Sequence, residues 1–173
     1  MVGLRFYGGV SEVGGNKILL EDGDTRIWLD FGKSFNSGND YYTGYLQPRG
    51  IAGLKDFFEF DMLPKIEGLY SEEMLAETDV KYGAPRFDGI IISHAHGDHV
   101  GHLPFVDPKI AVYTGAGTKL FMEASDETSQ LQLGKHDYRT FRTGAKITIG
   151  PVDVYPIHVD HSIPGAYGFI IYT

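Results

Sequence analysis

The 173-residue chain contains no cysteine. This excludes disulfide staples and thiolate metal sites, and leaves nitrogen and oxygen as the only strong donors for a metal. No apolar run approaches the ~18 residues that a membrane span requires. The N-terminus also lacks a basic segment followed by an apolar core, so neither a membrane partner nor a secretory leader is expected, and the cytoplasm is the expected location. Positive charge is in short supply, with 15 Lys plus Arg against 23 Asp plus Glu and a net charge of -8. Such a balance disfavours nonspecific attraction to nucleic acid or to an anionic membrane. It does not exclude a local basic groove, and a bound divalent cation would reverse the field where an anionic substrate sits. No internal repeat or low-complexity tract occurs.

The chain has the apolar content of one ordinary globular domain, and its 23 glycines and 8 prolines are dispersed as turn punctuation. Strands are expected near Leu4–Tyr7, Lys17–Glu21 and Thr25–Asp30, with a hairpin turn at residues 21–24. The segment Phe31–Arg49 is polar and aromatic without a clear period, and Leu54–Leu63 has an apolar spacing that fits a short helix. Phe87–Ser93 is a continuous apolar run, the pattern of a strand buried on both faces. A helix over Ala116–Thr128 and strands at Lys146–Ile149, Val152–Ile157 and Tyr167–Tyr172 complete an α/β sandwich with a mostly buried sheet.

The chemistry is concentrated directly after that buried strand, where the sequence reads Ser93-His94-Ala95-His96-Gly97-Asp98-His99. Three imidazoles and a carboxylate within six residues would be costly at a strand end unless something paired them, and a divalent metal pairs them all. His94 and His96 alternate in an extended segment and so project to the same side, while Asp98 and His99 open the next turn and can reach a second metal beside the first. His102, His136 and His158 lie outside this run and read as structural or solvent-exposed. The Gly8–Gly15 loop does not open a helix, so a tight turn describes it better than a phosphate cradle. Lys33, Tyr41, Tyr42, Tyr45 and Arg49 mix cations with aromatics. This pattern suits either stacking on bases or an ordinary half-buried surface loop.

The run His94-Ala95-His96-Gly97-Asp98-His99 resembles the His-x-His-x-Asp-His signature of metallo-β-lactamase-fold hydrolases. Gly8-Gly9-Val10-Ser11-Glu12-Val13-Gly14-Gly15-Asn16, Leu29-Asp30-Phe31-Gly32 and Val159-Asp160-His161-Ser162-Ile163-Pro164-Gly165 resemble segments of ribonuclease J and related β-CASP nucleases, in that family's order. The resemblance implies the first part of an αββα sandwich, with residues 1–173 as the N-terminal segment of a metallo-β-lactamase-like domain. The β-CASP insertion and the C-terminal part would lie outside it, and the apolar strand in which the chain ends fits this expectation. It further implies that His94, His96 and His161 hold one metal and Asp98 and His99 part of a second. Asp98 would serve catalysis, and Asp30 would accept a hydrogen bond from a ligand histidine and fix its tautomer. Two zinc ions per complete site are expected, with manganese the alternative.

The implied activity is metal-assisted hydrolysis of single-stranded RNA, exonucleolytic or endonucleolytic, by the full-length protein, the isolated segment being inactive. A homodimer is left open. The rival readings are a hydrolase of small esters, thioesters or lactones on the same fold, and a noncatalytic binding subunit.

Overall fold

The computed structural model describes all of residues 1–173. It contains nine strands and four short or medium helices: β1 Val2–Gly8, β2 Lys17–Asp22, β3 Thr25–Leu29, α1 Lys55–Glu59, α2 Glu72–Leu75, β4 Gly89–Ile92, α3 Gly97–Val100, β5 Val112–Gly115, α4 Ala116–Glu127, β6 Tyr138–Phe141, β7 Ile147–Ile149, β8 Val152–His158 and β9 Tyr167–Tyr172. Strands β1 to β6 form one sheet in sequence order, and β7 to β9 form a second. The first three strands pair antiparallel, whereas β3 to β6 run parallel; the second sheet is wholly antiparallel.

Alternation along the strands divides the apolar residues between two cores. Trp28, Ile90 and Ile92 point to one face of the six-stranded sheet, where they meet Phe31, Leu54, Phe58, Tyr70, Val100, Leu103 and, from α4, Met122. Ile27 and Ile91 point to the other face and pack with Ile147, Ile149, Val152 and Val154 of the second sheet. All four residues of β4 are buried, which is what a strand covered on both faces demands. The result is an α/β sandwich in which helices, a mixed sheet and a second sheet form successive layers.

Several boundaries differ from the sequence reading. The run Phe87–Ser93 contributes only Gly89–Ile92 as strand, because the flanking residues bond outside the ladder: Asp88 N–H to the Arg26 carbonyl and Ser93 N–H to the Asp30 carboxylate. The helix expected over Leu54–Leu63 shortens to Lys55–Glu59, capped by Phe60 and followed by Asp61 with a φ of 51°. Strands β5 and β6 and helices α2 and α3 were not anticipated. The tight turn read into Gly8–Gly15 is present as a loop in which the Gly9 N–H donates to Glu12 Oε1 at 2.9 Å and the Ser34 hydroxyl donates to Glu12 Oε2.

Candidate metal centre

The centre lies beyond the C-terminal ends of the parallel strands. Ala95 is buried in the core beneath the sheet, so its neighbours His94 and His96 emerge on the opposite side. Helix α3 then turns Asp98 and His99 towards the same cleft. Its position is fixed by main-chain bonds from two other loops: Asn16 N–H to the Asp98 carbonyl (3.1 Å), Phe31 N–H to the His99 carbonyl (2.8 Å) and Lys33 N–H to the Gly97 carbonyl (3.0 Å). Two glycines make this approach feasible. A Cβ on Gly32 would overlap the Asp98 carbonyl, and one on Gly14, whose φ is 79°, would stand 2.8 Å from the Asp98 Cβ.

Asp30 ends β3 in the left-handed region, with a φ of 59°. Its Oδ1 accepts from the Ser93 N–H at 2.8 Å, and its Oδ2 accepts from the Ser93 hydroxyl at 2.8 Å. The same Oδ2 stands 2.6 Å from His99 Nδ1, a geometry that holds the proton on Nδ1 and leaves Nε2 free to act as a donor atom. Burial alone would lower the pKa of His99, but the Asp30 hydrogen bond and the charges of Asp30 and Asp98 outweigh it and raise the value. His99 Nε2 faces Asp98 Oδ2 at 3.3 Å and Asn16 Nδ2 at 3.1 Å.

On the other side of the cleft, Ser93 Oγ lies 2.9 Å from His94 Nδ1, so that Nε2 of His94 faces His161 Nε2 at 3.0 Å. His161 Nε2 is also 3.2 Å from His96 Nδ1. His161 comes from the loop between β8 and β9 and is exposed, while His94 is buried and His96 half-buried. That loop is tied to the end of β4 by the Tyr167 N–H to Ser93 carbonyl bond (3.0 Å), to α4 by the Thr118 hydroxyl on the Gly165 carbonyl, and to the core of the first sheet by the buried Ile163. Burial first, then the neighbouring His99, His161 and His96, push the pKa of His94 down to about 3.

These residues fit a divalent cation. One ring nitrogen from each of His94, His96 and His161 lies within 4.8 Å of the others. Tetrahedral zinc with nitrogen donors at about 2.0–2.1 Å places them ~3.3 Å apart, close to the contacts seen. A neutral imidazole such as His94 offers a lone pair, as a metal ligand must. Asp98 and His99 stand next to this group as a nitrogen–oxygen pair, and all five side chains line one open cleft of about 470 Å³ together with Phe35 and Gly97.

The remaining residues fall elsewhere. His158 is exposed at the end of β8, and His136 is anchored through Nε2 to the Leu103 carbonyl at 3.0 Å. His102, read as structural or exposed, is buried at 4% exposure. Tyr41 and Tyr42 pack on Phe60, Tyr45 is exposed, and Arg49 forms a bidentate pair with Asp56. That pairing holds the Asp56 carboxyl down at about 2, chiefly through the Arg49 hydrogen bonds. Two residues at the centre, Asn16 and Ser93, had been given no role. The only sequence signals for them are the glycines before Asn16 and the position of Ser93 at the strand end.

Comparison with known proteins agrees with this fold. Residues 65–170 match the family model described as the metallo-beta-lactamase superfamily. The chain is 27% identical over 175 residues to ribonuclease J of Mycoplasma pneumoniae, covering 96% of this chain and 25% of that protein. It is 25% identical over 173 residues to ribonuclease J of Helicobacter pylori, covering 96% of this chain and 20% of that one. The chain therefore spans a quarter or less of the length of these relatives. Among solved structures, a protein of unknown function from Enterococcus faecalis superposes with a TM-score of 0.81 at 21% identity, over 99% of this chain and 41% of that one. A metallo-beta-lactamase fold protein of Bacillus subtilis, YhfI, superposes with a TM-score of 0.52 at 14% identity, over 99% of this chain and 58% of that one. At such identities these two likenesses speak to the fold alone.

Proposed function

Because the chain belongs to the metallo-beta-lactamase superfamily, whose fold implies divalent metal binding, we propose that it carries the metal centre of an RNA phosphodiesterase. The observation that carries this reading is the convergence of His94, His96 and His161 on one point, beside Asp98 and His99. The similarity to ribonuclease J along 96% of the chain supports RNA as the substrate class.

In this reading His94, His96 and His161 hold one ion, Asp98 and His99 contribute to a second, and zinc is preferred to manganese for so nitrogen-rich a set. The bound ions supply Lewis acidity and an activated water for attack at phosphorus. The chain's own residues orient these donors. Asp30 keeps the His99 proton on Nδ1, Ser93 links Asp30 to His94, and Asn16 steadies the His99 ring. Asp98 presents Oδ2 to the cleft, where it can take up a proton as well as hold an ion. The similarity to ribonuclease J supports single-stranded RNA as the substrate, cut from an end or internally.

The test uses protein carrying this chain, assayed on labelled single-stranded RNA with zinc or manganese, beside Asp98→Ala. Metal-dependent cleavage that the substitution reduces by more than about 100-fold is expected. Hydrolysis of a lactone or thioester with no action on RNA would overturn the reading in favour of a small-ester hydrolase.

A further inference from the structure

Ser93 is the half-buried residue that joins β4 to the metal centre, and its main chain is held on both sides without help from its side chain. The N–H donates to Asp30 Oδ1 at 2.8 Å, and the carbonyl accepts from the Tyr167 N–H at 3.0 Å. The hydroxyl is thereby fixed in place: Oγ lies 2.8 Å from Asp30 Oδ2, 2.9 Å from His94 Nδ1 and 3.2 Å from His99 Nδ1. His99 Nδ1 is in turn 2.6 Å from the same Asp30 Oδ2.

The count of protons decides which way these bonds run. A hydroxyl has a single proton to give and can accept besides, whereas a carboxylate only accepts. The 2.8 Å contact between Ser93 Oγ and Asp30 Oδ2 therefore carries the Ser93 proton. Towards His94 the hydroxyl is left as an acceptor. A neutral imidazole, the form that binds a metal, has a single N–H, and in His94 that N–H sits on Nδ1. The lone pair then falls on Nε2, the atom that faces His161 Nε2 at 3.0 Å. The opposite direction, with the hydroxyl aimed at His94 Nδ1, would set lone pairs of Ser93 and Asp30 against each other. It would also put a proton on the nitrogen that a metal needs. His99 gives its own Nδ1 proton to Asp30, its nearer acceptor at 2.6 Å against 3.2 Å for Ser93. One carboxylate oxygen therefore receives both chains of hydrogen bonds, directly from His99 and through Ser93 from His94.

We infer that Ser93 is a positioning residue through which Asp30 sets the tautomer of His94 as well as that of His99, so that one carboxylate prepares donors for both ions. The bonds reinforce one another along the chain, since a hydroxyl that accepts from His94 becomes a stronger donor to Asp30. Removing either member releases His94. Without the hydroxyl, Asp30 no longer reaches that ring; without the carboxylate, the hydroxyl is free to turn and donate to His94 Nδ1. The contribution of Asp30 to the ion on His94, His96 and His161 is therefore expressed only when Ser93 is present. The inference rests on the metal-binding part of the reading above, and the experiment separates the two.

The full chain with ¹⁵N-labelled histidine is treated with a chelator, and long-range ¹H–¹⁵N correlation spectra read the tautomer of each ring. In the wild type and in Ser93→Thr, which keeps the hydroxyl, the His94 proton is expected on Nδ1. Ser93→Ala should lose that preference while His99 keeps its proton on Nδ1. Zinc affinity at the tightest site is then measured by chelator competition for Ser93→Ala, Asp30→Asn and the double variant. Ser93→Ala should weaken zinc about tenfold or more, and Ser93→Thr should restore most of the loss. The double variant should match the weaker single variant within about twofold, because both cut the same chain. Losses that simply multiply, or a His94 tautomer that Ser93→Ala leaves unchanged, overturn the inference. Zinc binding by a wild type whose His94 proton is on Nε2 would overturn the role of Ser93 alone. A wild type that shows the expected tautomers and binds no zinc would overturn the metal-binding reading and retain the hydrogen-bond chain.

Discussion

His94, His96 and His99 stand on the six-stranded sheet, with Ala95 and Val100 buried beneath them and main-chain bonds from Asn16, Phe31 and Lys33 tying α3 in place. His161 is an exposed side chain on the loop between β8 and β9, which is held by the Tyr167 to Ser93 bond, by the Thr118 hydroxyl of α4 on the Gly165 carbonyl and by the burial of Ile163 in the core of the first sheet. One side of the centre is therefore held by more contacts around buried side chains, and the other presents an exposed side chain on a loop held by fewer. Preorganised donors lose little freedom on binding, so they should dominate affinity. On the proposed metal-binding reading, the exposed His161 should add less to affinity than the buried donors.

The largest break in this comparison is expected from His94→Ala, which removes the buried donor. Zinc affinity, measured by competition with a chromophoric chelator, should fall on the order of 1000-fold or more. Undiminished binding would refute the assignment of His94.

Asp30→Asn tests the support behind the organised side. The amide retains the shape but cannot accept from Ser93 and His99 as a carboxylate does, so metal affinity should fall about 10- to 100-fold. A change of less than twofold would show that the His99 tautomer does not depend on Asp30.

Lys17 sharpens the comparison through pH. It is buried at 3% exposure on the organised side, with Nζ donating to the Gly15 carbonyl at 3.3 Å and lying 5.8 Å from the centre of the Phe31 ring. Burial lowers its pKa from 10.5 to about 8, against the attraction of Glu12. Below about pH 8 the amine is charged in both folded and unfolded states, and its burial penalises the fold. Between about 8 and 10.5 the folded protein has shed the proton that the unfolded chain keeps, so stability should rise with pH over that window. The rise should be on the order of 2 kcal/mol in denaturant titrations, and Lys17→Met should flatten it. An identical pH profile in the variant would assign the rise to other groups.

The smallest effect is expected from His161→Ala without metal. Because the side chain is exposed, unfolding of the metal-free protein should change by less than about 0.5 kcal/mol. The stabilisation that wild type gains on adding zinc should nevertheless shrink. A large loss of metal-free stability would mean that the loop is organised without an ion.

The same contrast governed what could be read from the sequence. The organised side was legible because a fully apolar run leading into a dense set of ligand-type residues has few inexpensive structural explanations. The strands around it followed from alternation and from the turn at residues 21–24. Strands β5 and β6 escaped because parallel neighbours are joined by crossovers instead of hairpins, and Tyr138-Arg139-Thr140-Phe141 has little apolar character. The place of His161 came from resemblance, since nothing local to residues 159–165 says that this loop reaches His94. Asn16 and Ser93 act through contacts between residues distant in the chain, at separations of 83 for Asn16 with His99 and 63 for Ser93 with Asp30. Pattern within a segment does not reveal such pairs.

The parallel arrangement of β3, β4 and β5 has a consequence for how such a protein can change over generations. Each of these strands hands its next residues to the same edge: Asp30 after β3, Ser93 and His94 after β4, and at the end of β5 Gly115, where a Cβ would crowd the Tyr167 ring. The apolar residues that secure the scaffold lie inside the strands, and the groups that perform chemistry lie just past their ends. Mutations in the second set can alter what is bound or cut while the first set keeps the chain foldable. The segment 35–50, none of whose residues is buried, is where a lineage could revise substrate preference with the least risk to the rest of the molecule.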